Sequence, residues 1–363
     1  MAQSRQCAHG ASPALLISPL AIQSRACLPF STLFLAMASR HGHAGYVMTQ
    51  WNTSDFDEAG RALGHDIHTQ TCLPRQLNWP RPVMEGFEMA THQGLRRQSA
   101  DRFVGKWLQL RLNAWKRGRI VAADVTPDLL RQIDVTHCPV LRVRLTHGTL
   151  QESDWSVDRL NNDGAYAASN LAVMSVKANR AKGTLSFDEV HARVKQGRDG
   201  GGLSCLEWQR MASLMLGPAY ALRQHEAPRL PLCAPLPCRA VRLAYQQIQR
   251  LLTEGCARQA GKNQMLRAFY PACGHESARF KLEALVHQVH EGLKLIPSHD
   301  ERWDVWLQGG VMDAFERWLD SLGEADLLRA AAISGYLSQA RPETPERLRA
   351  WHLPTRGYSP QLC

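Results

Sequence analysis

The chain has 363 residues, 44% of them hydrophobic, which allows two or three domains and a sizeable core. Forty-three Lys and Arg against 33 Asp and Glu leave a formal charge of +10, which favours a polyanionic partner but does not separate nucleic acid from an anionic membrane surface. There is no apolar run of about 18 residues, so no membrane span is expected. The ten cysteines contain no CxxC pair, which argues against a zinc-finger or disulfide framework and for reduced thiols in a cytoplasmic protein.

Residues 1–50 carry three Arg and no acid; the first carboxylate is Asp55. Apolar patches at 14–22 and 30–38 are interrupted or separated by Pro19, Gln23, Arg25 and Pro29. An export signal needs one uninterrupted apolar segment. Residues 1–47 are therefore expected to form a poorly ordered leader, with the functional chain starting near Met48.

A helical region is expected over 48–125. Up to about Arg97 it consists of short helical pieces broken at Pro74, Pro80 and Pro82. From Ser99, a capping hydroxyl, a helix is predicted to about residue 117, with Phe103, Trp107, Leu110 and Ala114 on one face. Between Arg96 and Arg119 there are eight Lys and Arg, with Asp101 the only acid. Such a stretch is either a solvated helix face or a phosphate-contacting one, and Lys106, Arg111, Lys116 and Arg117 are the candidates for contact.

The segment 126–197 reads as a small unit of its own. Thr126 caps a short helix with Pro127 at its first position. In 138–145 Leu and Val alternate with Arg, the pattern of a half-buried strand. His147-Gly148 is a turn, 155–158 a second strand, and 161–164 a tight polar turn. Trp155 and Val157 should face the core and Tyr166 should pack the loop. A helix should run from about Ser175 to Lys182. Ser186 and Glu189 have capping-box spacing and start a helix to about Gln196. Residues 198–204 form a linker. Helical patterns follow over 205–216, 240–253, 278–293, 301–322 and 324–339, within a helical C-terminal domain at 205–340. The Pro-rich stretch 228–237 divides the first two. Trp303, Trp306 and Trp318 are expected in its core, and 341–363 form a loose tail. The fold class is mostly α with one small strand–strand–helix module.

The chemistry-bearing stretch is 155–183. Phosphodiester hydrolysis needs a metal to polarise the phosphate, an activated water, and cations to hold the backbone. Asp158, at a strand end, offers a hard oxygen, and Asn179 offers a second from the facing helix. That pair leaves most of a six-coordinate Mg2+ or Mn2+ ion open for water and phosphate. Asn170 reads as a scaffold amide, and Arg159, Arg180 and Lys182 as phosphate contacts. The spacing alone is a weak signal.

Taken together, the words Cys138-Pro139-Val140, Ser156-Val157-Asp158-Arg159-Leu160, Gly164-Ala165-Tyr166, Asn170 and Ala178-Asn179-Arg180-Ala181-Lys182 resemble an HNH endonuclease domain. More narrowly, they resemble a phage-like ββα-metal subfamily without zinc knuckles. The resemblance covers 126–196. It implies a ββα-metal fold, cleavage of DNA, a catalytic set of Asp158, Arg159, Asn170 and Asn179, metal held by Asp158 and Asn179, and a loop stiffened by Asn170. The family's usual general base is a His where this chain has Arg159, and arginine cannot be deprotonated. The base would then be a metal-bound water or a His from elsewhere, such as His137 or His147. Two alternatives stand beside the nuclease: a non-cleaving nucleic-acid-binding protein with a degenerate module, and an adaptor whose helical half mediates assembly.

Overall fold

Helix α1 (Thr53–Gln70) and helix α2 (Arg81–His92) lie side by side. A Cβ at Gly64 would sit 1.9 Å from the Val83 carbonyl oxygen, and one at Gly86 would sit 1.9 Å from that of Arg61. Only glycine permits so close an approach. The computed structural model describes residues 53–71, 76 and 78–339. The expected leader at 1–47 and the tail at 341–363 lie outside the described residues.

Helix α3 (Arg102–Lys116) is capped by Asp101, not by Ser99 as predicted. The carboxylate accepts from the amides of Phe103 at 2.9 Å and Val104 at 2.8 Å, and an anion suits the positive end of the helix better than a hydroxyl. Leu108 packs with Leu63, Ile67, Val83 and Phe87 of α1 and α2. The predicted face of Phe103, Leu110 and Ala114 enters a second core, with Trp107 packed against both. Helix α3 is therefore a wall shared by two cores. Thr126 caps α4 (Pro127–Gln132) as expected.

The two predicted strands do not pair with one another. Residues 138–145 form a tight turn: the Arg142 amide donates to the Cys138 carbonyl at 2.8 Å, and Arg142 takes a φ of +61°. Strand β1 (Trp155–Arg159) pairs instead with β2 (Leu171–Ser175), antiparallel, from Trp155↔Ser175 to Arg159↔Leu171. All of β2 is buried, so it shows no period-two alternation and reads ambiguously in sequence. Ser175 then caps α5 (Val176–Lys182). The order is strand, loop, strand, helix.

The Ser186–Glu189 capping box starts α6 (Phe187–Gln196), and a second box, Ser204 with Glu207, starts α7 (Cys205–Ala219). Helix α7 places Trp208, Met211, Leu214 and Met215 in the same core as Trp155 and Leu171, so the module's core extends past the expected linker. The last core is built by α8 (Ala244–Gly255), α9 (Gln259–Phe269), α10 (Glu276–Lys294), α11 (Gly309–Asp320) and α12 (Glu324–Leu337). Trp303, Trp306 and Trp318 are buried in it, as predicted. The single helix expected over 301–322 breaks at Gln308, whose ψ is 117°, into a 3-10 stretch (His299–Leu307) and α11. Helix α9 had no counterpart among the sequence expectations. Among the described residues, no helix is long and apolar enough to cross a membrane.

Asp304 ties the last core to the module. It pairs with Arg142 at 2.8 Å and Arg210 at 2.7 Å. Arg142 also donates to the carbonyls of Cys233 and Asp300. Both guanidiniums are 9% exposed and the carboxylate 20%. Removing the anion leaves two covered cations facing each other. Asp304→Ala should therefore lower stability by about 3 kcal/mol, near the bottom of the range for a broken buried pair. Urea unfolding measures this, and a loss under about 1 kcal/mol would show that the cluster does not join the two cores.

Candidate functional site

The site is organised by the direction of α5. Because β2 ends beside Trp155, α5 starts there and runs back along β1 toward Arg159. Ser156 and Asp158, two residues apart, share one face of β1, and α5 lies across that face. The Asn179 amide donates to Ser156 Oγ at 2.6 Å. One turn on, Lys182 Nζ lies 2.9 Å from Asp158 Oδ2. Lys182 is completely buried. It also donates to the Arg159 carbonyl at 2.8 Å and to Asn162 Oδ1 at 3.0 Å.

Asn170, also completely buried, holds the loop between the strands. Its Oδ1 accepts from the Asn161 amide at 2.7 Å, and its Nδ2 donates to the carbonyls of Asn161 at 2.9 Å and Ala165 at 3.0 Å. This is the scaffold role expected of it.

Two of the expected phosphate contacts point inward. Lys182 is spent on Asp158 and two neutral oxygens. Arg159 is 2% exposed; it donates to the Gly164 carbonyl at 2.8 Å and lies 4.9 Å over the Tyr166 ring. Neither presents charge to a surface ligand. Arg180 is exposed and paired loosely with Glu152 at 3.5 Å. Along α3, Lys106 turns onto Trp155, 5.3 Å from its ring. Burial lowers the Lys106 ammonium pKa, against the pull of Asp154. Arg111 pairs with Asp66 at 2.5 Å and stacks 4.4 Å over Trp107. Lys116 and Arg117 are exposed. Steps of five residues turn a helix by about 140° each, so these cations do not form one stripe.

Asp158 is covered, where the sequence suggested an open position. Burial pushes its carboxyl above the ordinary aspartate range, and the charges of Lys182 and Arg119 pull it back. His147 contacts Arg102 at 2.7 Å and the Trp155 ring, at the far end of β1 from Asp158. His137 faces Asp300 at 3.5 Å.

Among the described residues, no group of three or more His, Cys, Asp or Glu could hold a metal ion. The donor set is one carboxylate and one amide. Lys182 engages one oxygen of Asp158, and Ser156 engages the nitrogen of Asn179. Asp158 Oδ1 and Asn179 Oδ1 remain as hard donors. Mg2+ retains several waters and takes one or two protein ligands, so a donor set this small is within its range, but the Lys182 ammonium 2.9 Å from Asp158 opposes a divalent cation.

Sequence reasoning missed Ser156, Asn162 and Asp154. The spacing of Ser156 and Asp158, two apart on a strand, carried a signal for the first. Asp154 accepts from the hydroxyls of Thr146 and Thr149, both at 2.6 Å, and from the Leu150 amide at 2.7 Å, fixing the loop that leads into β1. Comparison with protein-family models, with curated proteins and with solved structures finds no match for the chain.

Asn170→Ala removes three hydrogen bonds and leaves a buried amide and two carbonyls without their side-chain partner. It should cost about 2–3 kcal/mol, the scale of unsatisfied buried polar groups. Denaturant unfolding with an unchanged m-value would register it, and a neutral effect would mean that the loop is held by other contacts. Asp154 gives a pH test. The Thr146 and Thr149 hydroxyls hold its carboxyl far below the ordinary 3.8. The folded value is depressed, so its contribution is full above 3.8 and is lost as pH falls toward the folded value. Asp154→Asn should flatten the acid limb of the stability–pH curve. An acid limb identical to wild type would rule that contribution out.

Proposed function

We propose that the chain is a metal-dependent endonuclease hydrolysing DNA phosphodiester bonds, of the HNH ββα-metal kind, with Asp158 and Asn179 holding Mg2+ or Mn2+. The sequence pattern places both strands before the loop, whereas the second strand follows it. The observation that carries this reading is therefore Asp158 and Asn179 standing on facing elements, with Asn170 in the loop between the strands. The charge of +10 supports an anionic substrate.

When bound, the metal supplies Lewis-acid stabilisation of charge on the phosphate. The protein's own residues have separate tasks. Lys182 fixes the orientation of Asp158, and Ser156 fixes the Asn179 amide. Asn170 and Arg159 rigidify the loop through backbone carbonyls. Arg159 cannot accept a proton and is not the base. Arg180, Lys116 and Arg117 are exposed cations able to meet phosphates.

The second reading, a nucleic-acid-binding protein that does not cleave, draws on Arg159 in the usual place of the base and on the Lys182 ammonium already beside Asp158. A plasmid-nicking assay separates the two. Wild type should nick with Mg2+ or Mn2+ and not with EDTA. Asp158→Asn is the informative variant, because Asp158→Ala would strand the buried Lys182 ammonium without its anion. Asp158→Asn should reduce nicking by about 100-fold or more, the scale of losing a key electrostatic group. Asn179→Ala should fall similarly, while Arg180→Ala should mainly weaken binding. DNA binding without cleavage under either metal would favour the second reading, and an Asp158→Asn protein as active as wild type would move the active site elsewhere.

A further inference from the structure

Lys182 was expected to meet a phosphate, and it meets a cage of the protein's own oxygens instead. Its Nζ lies 2.9 Å from Asp158 Oδ2, 2.8 Å from the Arg159 carbonyl and 3.0 Å from Asn162 Oδ1. An ammonium carries three N–H groups, and the cage supplies as many oxygens. Two of them belong to consecutive residues of β1. The third is held from behind, because Asn162 Nδ2 donates to the carbonyls of Leu185 at 3.0 Å and Gly183 at 3.3 Å. Lys182 is the last residue of α5 and wholly buried. Its ammonium cannot reach water without giving up all three oxygens.

The charge balance of this cage bears on the ion assigned to Asp158. One of the three oxygens is anionic, and Lys182 neutralises it. A divalent cation brought to the other oxygen of that carboxylate therefore meets a neutral pair, with a like charge close by. A carboxylate shared in this way attracts an ion less than a free one does. A phosphodiester oxygen changes the balance, because it adds the anion that the site lacks, and Mg2+ readily completes its shell with substrate phosphate.

We propose that Lys182 makes metal binding conditional on substrate: its ammonium keeps a divalent ion off Asp158 in the free protein, and the ion enters together with a DNA phosphate. This inference rests on the nuclease reading of the same site. It turns Lys182 from a phosphate contact into the residue that couples metal to DNA.

The test reads binding rather than cleavage. DNA-free protein is titrated with Mn2+, and free Mn2+ is followed by its EPR signal. Lys182→Met keeps a long side chain and removes its charge. It should bind Mn2+ more tightly than wild type by about 10-fold or more, the scale on which groups around a metal ligand change affinity. Combining it with Asp158→Asn should abolish the gain. Wild-type affinity for a duplex oligonucleotide is then compared with and without Ca2+ at one ionic strength. It should rise by about 5-fold or more with the ion, because coupling between two ligands is reciprocal, and Asp158→Asn should show no rise. Equal Mn2+ affinity of wild type and Lys182→Met would overturn the inference, as would a wild-type duplex affinity indifferent to Ca2+. Either result leaves plasmid nicking, and with it the nuclease reading, intact. If Lys182→Met does not fold, thermal unfolding of the DNA-free wild type decides. Mn2+ should leave its Tm unchanged, and a rise, the mark of an ion bound to the native state, would overturn the inference. Wild-type protein that neither binds nor cuts DNA would sink both.

Discussion

A lysine ammonium with no access to water must be surrounded by oxygens, or it would not stay charged in the fold. Lys182 meets that demand with Asp158 Oδ2, the Arg159 carbonyl and Asn162 Oδ1. These partners come from a strand and the turn after it, while Lys182 closes the last turn of α5. The contact therefore fixes the helix along β1 and fixes the rotamer of Asp158. Asn162 passes the constraint on, since its amide donates to the Leu185 carbonyl at 3.0 Å and so holds the entry to α6. Asn170 does for the loop what Lys182 does for the helix. Both side chains are wholly buried and hold backbone groups that neither strand nor helix pairs.

The same logic works at larger scale around Asp304. Arg142 and Arg210 are too well covered to remain unpaired, and the carboxylate that meets them comes from the 3-10 stretch before α11. The turn at 138–145 is shaped by this demand. Arg142 adopts a left-handed φ that costs a non-glycine residue about 1–2 kcal/mol, and its guanidinium gains a carboxylate and two carbonyls in return. A segment that alternates like a strand is held as a turn because its arginine has a buried partner far along the chain.

Charge has a comparable history. The basic run from Arg96 to Arg119 suggested a stripe, but the helix distributes its cations around the axis. Arg111 neutralises Asp66 and stacks on Trp107, and Lys106 lies along Trp155. Of the four candidate cations in this helical run, Lys116 and Arg117, at the C-terminal end of α3, are the exposed ones. There the chain leaves the helix and joins the loop around Tyr166. The proposed DNA-binding role of the protein draws on that end more than on the helix as a whole.

Local chemistry written in consecutive residues was legible without the fold. Thr126-Pro127 and the Ser186–Glu189 box started helices where expected, and the tryptophans of the C-terminal region were recognisable as core. Asn170 could be read as a scaffold amide because its partners, Asn161 and Ala165, lie in the same loop, nine and five residues away. Strand β2 was not legible, since a fully buried strand has no alternation to reveal it. Helix α9 and the break at Gln308 were missed as well. Exposure was the other thing hidden from the sequence. The chain alone determined that Arg159, Lys182 and Arg142 are cations near polar loops. Only the tertiary structure decided that they face inward, because burial of a charge depends on which distant carbonyls and carboxylates come to meet it, and no local pattern of residues encodes that encounter.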